Sequence, residues 1–140
     1  MIKDFTPKFI DDKHKAYYEQ WLQQTHTKGD PEYMSMFYVL ATNVVTREHI
    51  HDIFDFSETR IKPKGLFESP WITSSTAKII RFAFNLYNWG ICADRDQGGT
   101  ELTDTADRYT PAALFACSYA PYFIQALKIR YPDYFINDED

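Results

Sequence analysis

Cysteine is scarce in this sequence, and its scarcity excludes two classes of protein. The 140 residues contain only Cys92 and Cys117, too few for the disulfide framework of a small secreted domain or for a cysteine-rich metal cluster. The N-terminus lacks the basic and apolar segments of a signal peptide. No apolar run reaches the roughly 20 residues that a membrane span needs. We therefore expect a cytoplasmic protein without a membrane partner.

A surplus of basic residues is also absent. Lys and Arg number 15 against 20 Asp and Glu, which gives a formal net charge of −5 at pH 7. The phosphates of nucleic acids require a basic surface, so we expect no nucleic-acid partner. Part of the acidity is at the C-terminus, where residues 137–140 are predicted to form a solvated acidic tail.

No pattern typical of a catalytic or metal site stands out. His49 and His51 are two residues apart and would point to nearly opposite sides of a helix, so they cannot share a metal ion there. Neither cysteine has a histidine near it in sequence, and Gly98-Gly99 lacks the lysine and hydroxyl partners of a phosphate-binding loop. We predict no cofactor, no metal and no catalytic residue. An enzyme would need an acid, base or nucleophile that only the folded chain brings together.

Aromatic residues, by contrast, are abundant. The chain has 11 Phe, 10 Tyr and 3 Trp, together 17% of its residues. Each of these side chains buries a large area, so we expect an aromatic core. Some tyrosines must then lie at the surface, where they are good contact residues.

Apolar spacing and capping signals predict a compact all-α bundle of about six helices, several of them short, in one domain over residues 1–140. The predicted helices are 12–25, 31–43, 47–54, 74–89, a short one from Thr110-Pro111, and 121–131. On the last of these, Phe123, Ile124, Leu127 and Tyr131 should face inward. Thr46 is the expected cap of the third. Periodicity fails over 55–70, which predicts an irregular connection or a brief strand. Residues 93–109 are predicted to be a mobile surface loop that only Leu102 and Tyr109 could anchor.

The helix predicted over about 74–89 is expected to be the buried centre of the bundle. Thr73 and the serines after it can cap its start, and Gly90 can end it in the left-handed conformation. Most positions between them are apolar, as in a helix that other helices surround.

The polar exceptions on this helix share one face, and they are the candidate binding residues: Lys78, Arg81, Asn85 and Asn88. One interpretation is a solvent-facing line whose partners are carboxylates from a neighbouring segment. The other is a groove for an anionic molecule or an acidic protein surface, in which the Arg81 guanidinium would make bidentate contacts.

Several segments resemble an uncharacterised family of small bacterial proteins. They are Phe37-Tyr38-Val39-Leu40, Ile53-Phe54-Asp55-Phe56, Trp71-Ile72-Thr73-Ser74-Ser75, Arg81–Asn88, Tyr109-Thr110-Pro111 and Ala120-Pro121-Tyr122-Phe123. Members occur in Firmicutes, often in phages, prophages and mobile elements, and the family has no known function. The resemblance includes Arg81, Asn85 and Asn88 but gives them no role. The long 93–109 loop departs from the family pattern, because the resemblance implies a shorter loop in most members.

Together these features favour a non-enzymatic protein of a phage or mobile element that binds a host protein in the bacterial cytosol, such as a defence component. Aromatic surface and the polar stripe would make the contact. The alternative is a sensor or sequestering protein that binds an anionic metabolite or nucleotide along Lys78–Asn88.

Overall fold

The computed structural model describes residues 5–89 and 104–135. Within these ranges the chain folds into eight α-helices, two 3₁₀ helices and one short hairpin. The predicted all-α class is confirmed. The α-helices are α1 (Asp12–Thr25), α2 (Pro31–Leu40), α3 (Val44–Glu48), α4 (Ile50–Ile53), α5 (Lys64–Glu68), α6 (Ser74–Leu86), α7 (Pro111–Phe115) and α8 (Ala120–Arg130). The antiparallel strands are β1 (Phe54–Asp55) and β2 (Arg60–Ile61), and the 3₁₀ helices are Ala106–Tyr109 and Pro132–Phe135.

The most deeply buried helix is α2. Each residue from Ser35 to Ala41 has 0% of its surface exposed, because α1, α6 and α8 all pack against this helix. Its start follows the prediction: Pro31 is the first helical residue, and Asp30 Oδ1 accepts from the Glu32 N–H at 3.0 Å. The Ser35 hydroxyl donates to Pro31 O at 2.7 Å, so the polar group in this sealed segment is satisfied.

Helix α6 begins where expected but ends at Leu86, before the predicted boundary. Thr73 and Thr76 form a capping box, in which each side-chain oxygen accepts from the backbone N–H of the other, at 3.2 and 2.7 Å. At the far end Asn88 takes the left-handed conformation, with φ 70°, and the Trp89 N–H donates to Phe84 O at 2.9 Å. This Schellman-type end places Asn88 beyond the helix.

The segment after α2 differs from the prediction. Asn43, and not Thr46, caps α3, because Asn43 Oδ1 accepts from the Val45 N–H at 2.7 Å. Thr46 is buried instead, and its hydroxyl donates to Leu40 O at 2.6 Å. The predicted irregular connection contains α5, where Gly65 allows a close approach to α4. A Cβ at this glycine would lie 2.1 Å from Asp52 O.

The buried face of helix α8 is rotated from the predicted one. Phe123 is buried as predicted and Leu127 is half-buried. Ile124 and Tyr131, by contrast, are 40% and 39% exposed, and Ala126 and Ile129 are buried in their place. The rotation of the helix is fixed at its end, where Arg130 Nε donates to Leu86 O, a carbonyl at the end of α6, at 2.9 Å. Packing against α2 and α6 therefore selects the buried stripe.

Part of the predicted 93–109 loop has regular structure, because residues Ala106–Tyr109 form a 3₁₀ helix. Residues 93–103 lie outside the described residues, and so does the predicted acidic tail at 137–140.

A buried histidine fastens the N-terminal segment to the core. His14 is 0% exposed. Its Nδ1 accepts from the Ile10 N–H at 3.1 Å, so the ring proton is on Nε2, which donates to Tyr38 O at 2.8 Å. Burial lowers the pKa of His14, and the opposing effects of the Tyr38 carbonyl and Asp11 do not overcome it.

The free energy of unfolding should decrease as the pH falls below about 6.5. In that range the unfolded chain binds a proton that the folded chain resists, so the stability present at higher pH is lost as the pH approaches the lowered pKa of His14. Urea midpoints at about pH 7.5 and about pH 5.5 measure this change. A His14→Asn variant should be less stable at both values, with a smaller difference between them.

The control is His51→Asn, because His51 is exposed. This variant should keep the wild-type difference between the two pH values. If His14→Asn kept that difference as well, another group would be responsible for the pH dependence.

Candidate functional site

A cleft of about 490 Å³ lies between the beginning of α6, α7 and the 3₁₀ helix before α7. We call it the α6–α7 cleft. Its volume is in the range of small-molecule sites. Alanine, hydroxyl and cationic side chains form its wall. The described lining residues are Thr73, Ser74, Ala77, Lys78, Arg81, Arg108, Ala112 and Ala113.

Arg81 is fixed on one edge of its guanidinium. Its Nε donates to Asp104 Oδ2 at 2.7 Å, and the two side chains are only 14% and 6% exposed. Beyond Asp104 and the neighbouring Tyr109 hydroxyl, Arg81 has no partner among the residues that the structure describes. A guanidinium carries five N–H donors in a planar arrangement that suits carboxylate and phosphate oxygens, and Asp104 takes the donor on Nε.

Asp104 organises this side of the cleft. Its Oδ2 also accepts from the Tyr109 hydroxyl at 2.8 Å, and its Oδ1 accepts from the Thr105 N–H at 2.8 Å. Burial by itself raises the pKa of Asp104, but the hydrogen bonds from Arg81, Tyr109 and Thr105 outweigh burial and hold the pKa below its usual value. Burial and the adjacent carboxylate raise the pKa of Tyr109. At neutral pH, Asp104 is therefore a charged acceptor and Tyr109 a neutral donor.

Lys78 and Arg108 supply the other positive charges. Lys78 Nζ donates to Ala116 O at 3.2 Å and keeps further donors, because an ammonium group has three. Arg108 is exposed, and its side chain has no hydrogen-bond or ion-pair partner within residues 5–89 and 104–135. Counted over the described residues alone, these three cations and Asp104 give a local surplus of two positive charges in a chain of net charge −5.

The structure divides the predicted stripe into two places. Lys78 and Arg81 line the cleft. Asn85 is exposed, and its Nδ2 donates to Trp89 O at 3.2 Å. Asn88 joins two helices at the other end of α6: its Nδ2 donates to Glu32 Oε2, and its Oδ1 accepts from Arg130 at 3.2 Å.

Sequence reasoning missed Arg108 as a member of the site. It lies in the segment that was predicted to be a loop, and it reaches the cleft because Arg81 and Tyr109 both bind Asp104. The signal that could have indicated this arrangement is the alternation of acidic, basic and aromatic residues over 104–109. A buried carboxylate in such a segment needs a cationic partner elsewhere in the fold.

The histidines considered for a metal site are apart. His49 stacks on Trp71, with ring centroids 4.8 Å apart, whereas the His51 ring lies 5.4 Å from that of Phe56. In the described ranges, no group of three or more His, Cys, Asp or Glu side chains is placed to hold a metal ion. None of the helices described is both long enough and apolar enough to cross a membrane.

Comparison with known proteins places the whole described region in one family. The model of a family of unknown function, DUF6075, matches residues 5–140. The chain belongs to this family. The α6–α7 cleft is thus part of the DUF6075 region, as are α1 to α8. No curated protein and no solved structure matches the chain. What this DUF6075 member does must be argued from its own geometry.

Asp104→Asn should lower the free energy of unfolding by about 1–3 kcal/mol at neutral pH, because Arg81 would lose a buried counter-charge. Asp107→Asn is the matched control: it removes the same charge from an exposed carboxylate on the adjoining 3₁₀ helix. We expect this variant to change the stability by less than about 0.5 kcal/mol. Urea denaturation of both variants measures the difference. Equal losses would contradict a special role for Asp104.

Proposed function

We propose that this protein is a non-enzymatic binding protein that takes an anionic small molecule into the α6–α7 cleft. The observation that supports the proposal is the presence of Lys78, Arg81 and Arg108 in one concave site of an otherwise acidic chain. Placing like charges together is unfavourable unless a counter-charge joins them. Asp104 offsets one of the cations, and a bound anion would offset the others.

The described lining residues favour binding over turnover. Their hydroxyls are those of Thr73 and Ser74, and Thr73 Oγ1 is already used in the capping box of α6. None of these lining residues is a histidine, cysteine, aspartate or glutamate. A nucleophile would therefore find no general base beside it among them, and the carboxylate of Asp104 at the edge of the cleft already accepts from Arg81, Tyr109 and Thr105. Sensing or sequestration of the ligand fits this set of groups.

The sequence ranked this function second, after the binding of a host protein. We now place ligand binding first, because the cleft forms only where segments far apart in the chain come together and so could not be seen in the sequence. On α6 alone, Lys78 and Arg81 offer a narrow line of charge. With Arg108 and the Asp104 support, the same two side chains become part of a site that could surround a ligand.

The first test is thermal melting in the presence of anionic metabolites and nucleotides. A ligand at about a hundred times its Kd should raise the Tm of the wild type by roughly 9 °C. The Arg108→Gln variant should lose most of this rise. It is a clean variant, because Arg108 is exposed and its side chain is unpaired among the described residues. Lys78→Gln should weaken the response in the same direction.

The control is Lys13→Gln, which removes one exposed positive charge from α1. It should respond to the ligand like the wild type. A wild type that no anion stabilises would refute the proposal. So would an equal weakening by Lys13→Gln and Arg108→Gln, because that result would indicate a general effect of net charge.

A second candidate function is the binding of a host protein through an exposed apolar surface along α8. Ile124, Tyr131 and Tyr134 are 40%, 39% and 84% exposed, and the two tyrosine rings are 6.4 Å apart. Lys128 Nζ lies 6.0 Å from the ring centroids of both Phe5 and Phe135. Exposed aromatic residues are enriched in protein interfaces. In this proposal the protein comes from a phage or mobile element and occupies a protein of its bacterial host, such as a defence component.

Affinity purification from the bacterial host tests the second candidate. The wild type should retain one host protein in stoichiometric amount, and a Tyr131→Ser, Tyr134→Ser double variant should not. Phe67→Ser is the control, because Phe67 is a 50% exposed aromatic residue on α5. If the double variant still retained the partner, the surface along α8 would not be the binding site.

A further inference from the structure

We infer that the ligand of the α6–α7 cleft is a small phosphomonoester, bound by its dianionic phosphate. The inference rests on the proposed function and specifies the chemical class of its ligand. It follows from the charge of the cleft, from the directions in which its donors approach, and from the side chains that line the remaining space.

The charge of the cleft matches a dianion. Lys78, Arg81 and Arg108 contribute three positive charges, and the buried Asp104 removes one of them. A phosphomonoester carries a charge of about −1.5 to −2 near pH 7, whereas a monocarboxylate carries −1. Electrostatic complementarity therefore favours the phosphate.

The arrangement of the donors also favours a phosphate group. Lys78 and Arg81 are three residues apart and reach the cleft from the same face of α6, whereas Arg108 comes from the 3₁₀ helix. Cations on two separate elements can contact different oxygens of a tetrahedral group. A planar carboxylate has two oxygens, and the free edge of Arg81 could occupy both. The Ser74 hydroxyl lines the same space and adds a neutral donor.

The lining residues that are not cations indicate that the phosphate of the ligand is attached to a compact organic group. The cleft, at about 490 Å³, is larger than a phosphate group alone needs. The other described lining side chains include Ala77, Ala112 and Ala113, and none of the described lining residues is aromatic. A nucleobase usually stacks on aromatic side chains or on arginine planes; this wall has no described aromatic side chain, and its two arginines are assigned here to the phosphate group. A phosphorylated polyol or sugar fits this wall better than a nucleotide does.

The ligand itself should determine how binding depends on pH. The charged and titratable groups that line the cleft or contact its lining side chains are Lys78 and Arg81 on α6, and Asp104, Arg108 and Tyr109 on the segment opposite. Asp107 on the 3₁₀ helix is exposed and is not among the described lining residues. None of these groups is a histidine, the residue type that ordinarily titrates between pH 5 and 8. A phosphomonoester has its second pKa near 6 in that interval, so the ligand would lose charge there.

Calorimetric titration of the full chain with glycerol 3-phosphate tests the inference. Succinate, glycerate, inorganic phosphate and AMP are the comparison ligands. We expect glycerol 3-phosphate to bind at least about tenfold more tightly than each carboxylate, with its Kd rising about fourfold from pH 7.5 to 5.5 as the dianion is protonated. Sulfate, a tetrahedral dianion at both pH values, should bind without such a change. Arg108→Gln should lose the preference for phosphate, and Lys13→Gln should keep it.

The other outcomes separate this inference from the proposed function. If succinate binds as tightly as glycerol 3-phosphate and Arg108→Gln weakens both, the cleft binds anions but the phosphomonoester class is wrong. If AMP or inorganic phosphate bound more tightly than glycerol 3-phosphate, the inference that the ligand has a compact organic group would be wrong. A Kd for glycerol 3-phosphate that is constant from pH 7.5 to 5.5 would overturn binding of the dianion. If no anion binds at all, both the inference and the proposed function fail.

Discussion

The burial of α2 from Ser35 to its last residue, Leu40, is the constraint on which the rest of this structure depends. A helix with no exposed side chain from Ser35 to Ala41 has to be covered on every side, and α1, α6 and α8 provide that cover. Burying each large apolar side chain contributes about 1.5–3 kcal/mol, so this helix also concentrates much of the stability. Polar groups beside it must be satisfied, which is why His14 and Tyr38 hold the N-terminal segment through hydrogen bonds.

The same packing determines which side of α6 is available for a ligand. Because α6 packs against α2 with its apolar face, Lys78 and Arg81 are directed away from α2, towards α7 and the 3₁₀ helix. The far end of α6 is held by Asn88 and Arg130, which link it to α2 and α8. A helix fixed at both ends and along its buried face presents its charged side chains at constant positions, which a binding site needs.

The ion pair of Arg81 with Asp104 connects this rigid helix to the segment before α7. One carboxylate oxygen accepts from both Arg81 Nε and the Tyr109 hydroxyl, and Arg81 also lines the cleft. The pair reduces the repulsion among the three cations without cancelling their charge. In this member of a family of unknown function, the cleft thus combines cations from two elements with one buried carboxylate.

The sequence by itself determined the helical class and the starts of α1, α2, α6 and α7, because a capping side chain bonds a backbone group only two or three residues away. Asp11, Asp30, Thr73 and Thr110 all act in this way. Only the tertiary structure decided the buried face of α8, the position of Asn88 beyond α6, and the assembly of Arg81, Asp104 and Arg108. These features depend on contacts between elements far apart in the chain, and the packing energies that select them do not appear in local spacing.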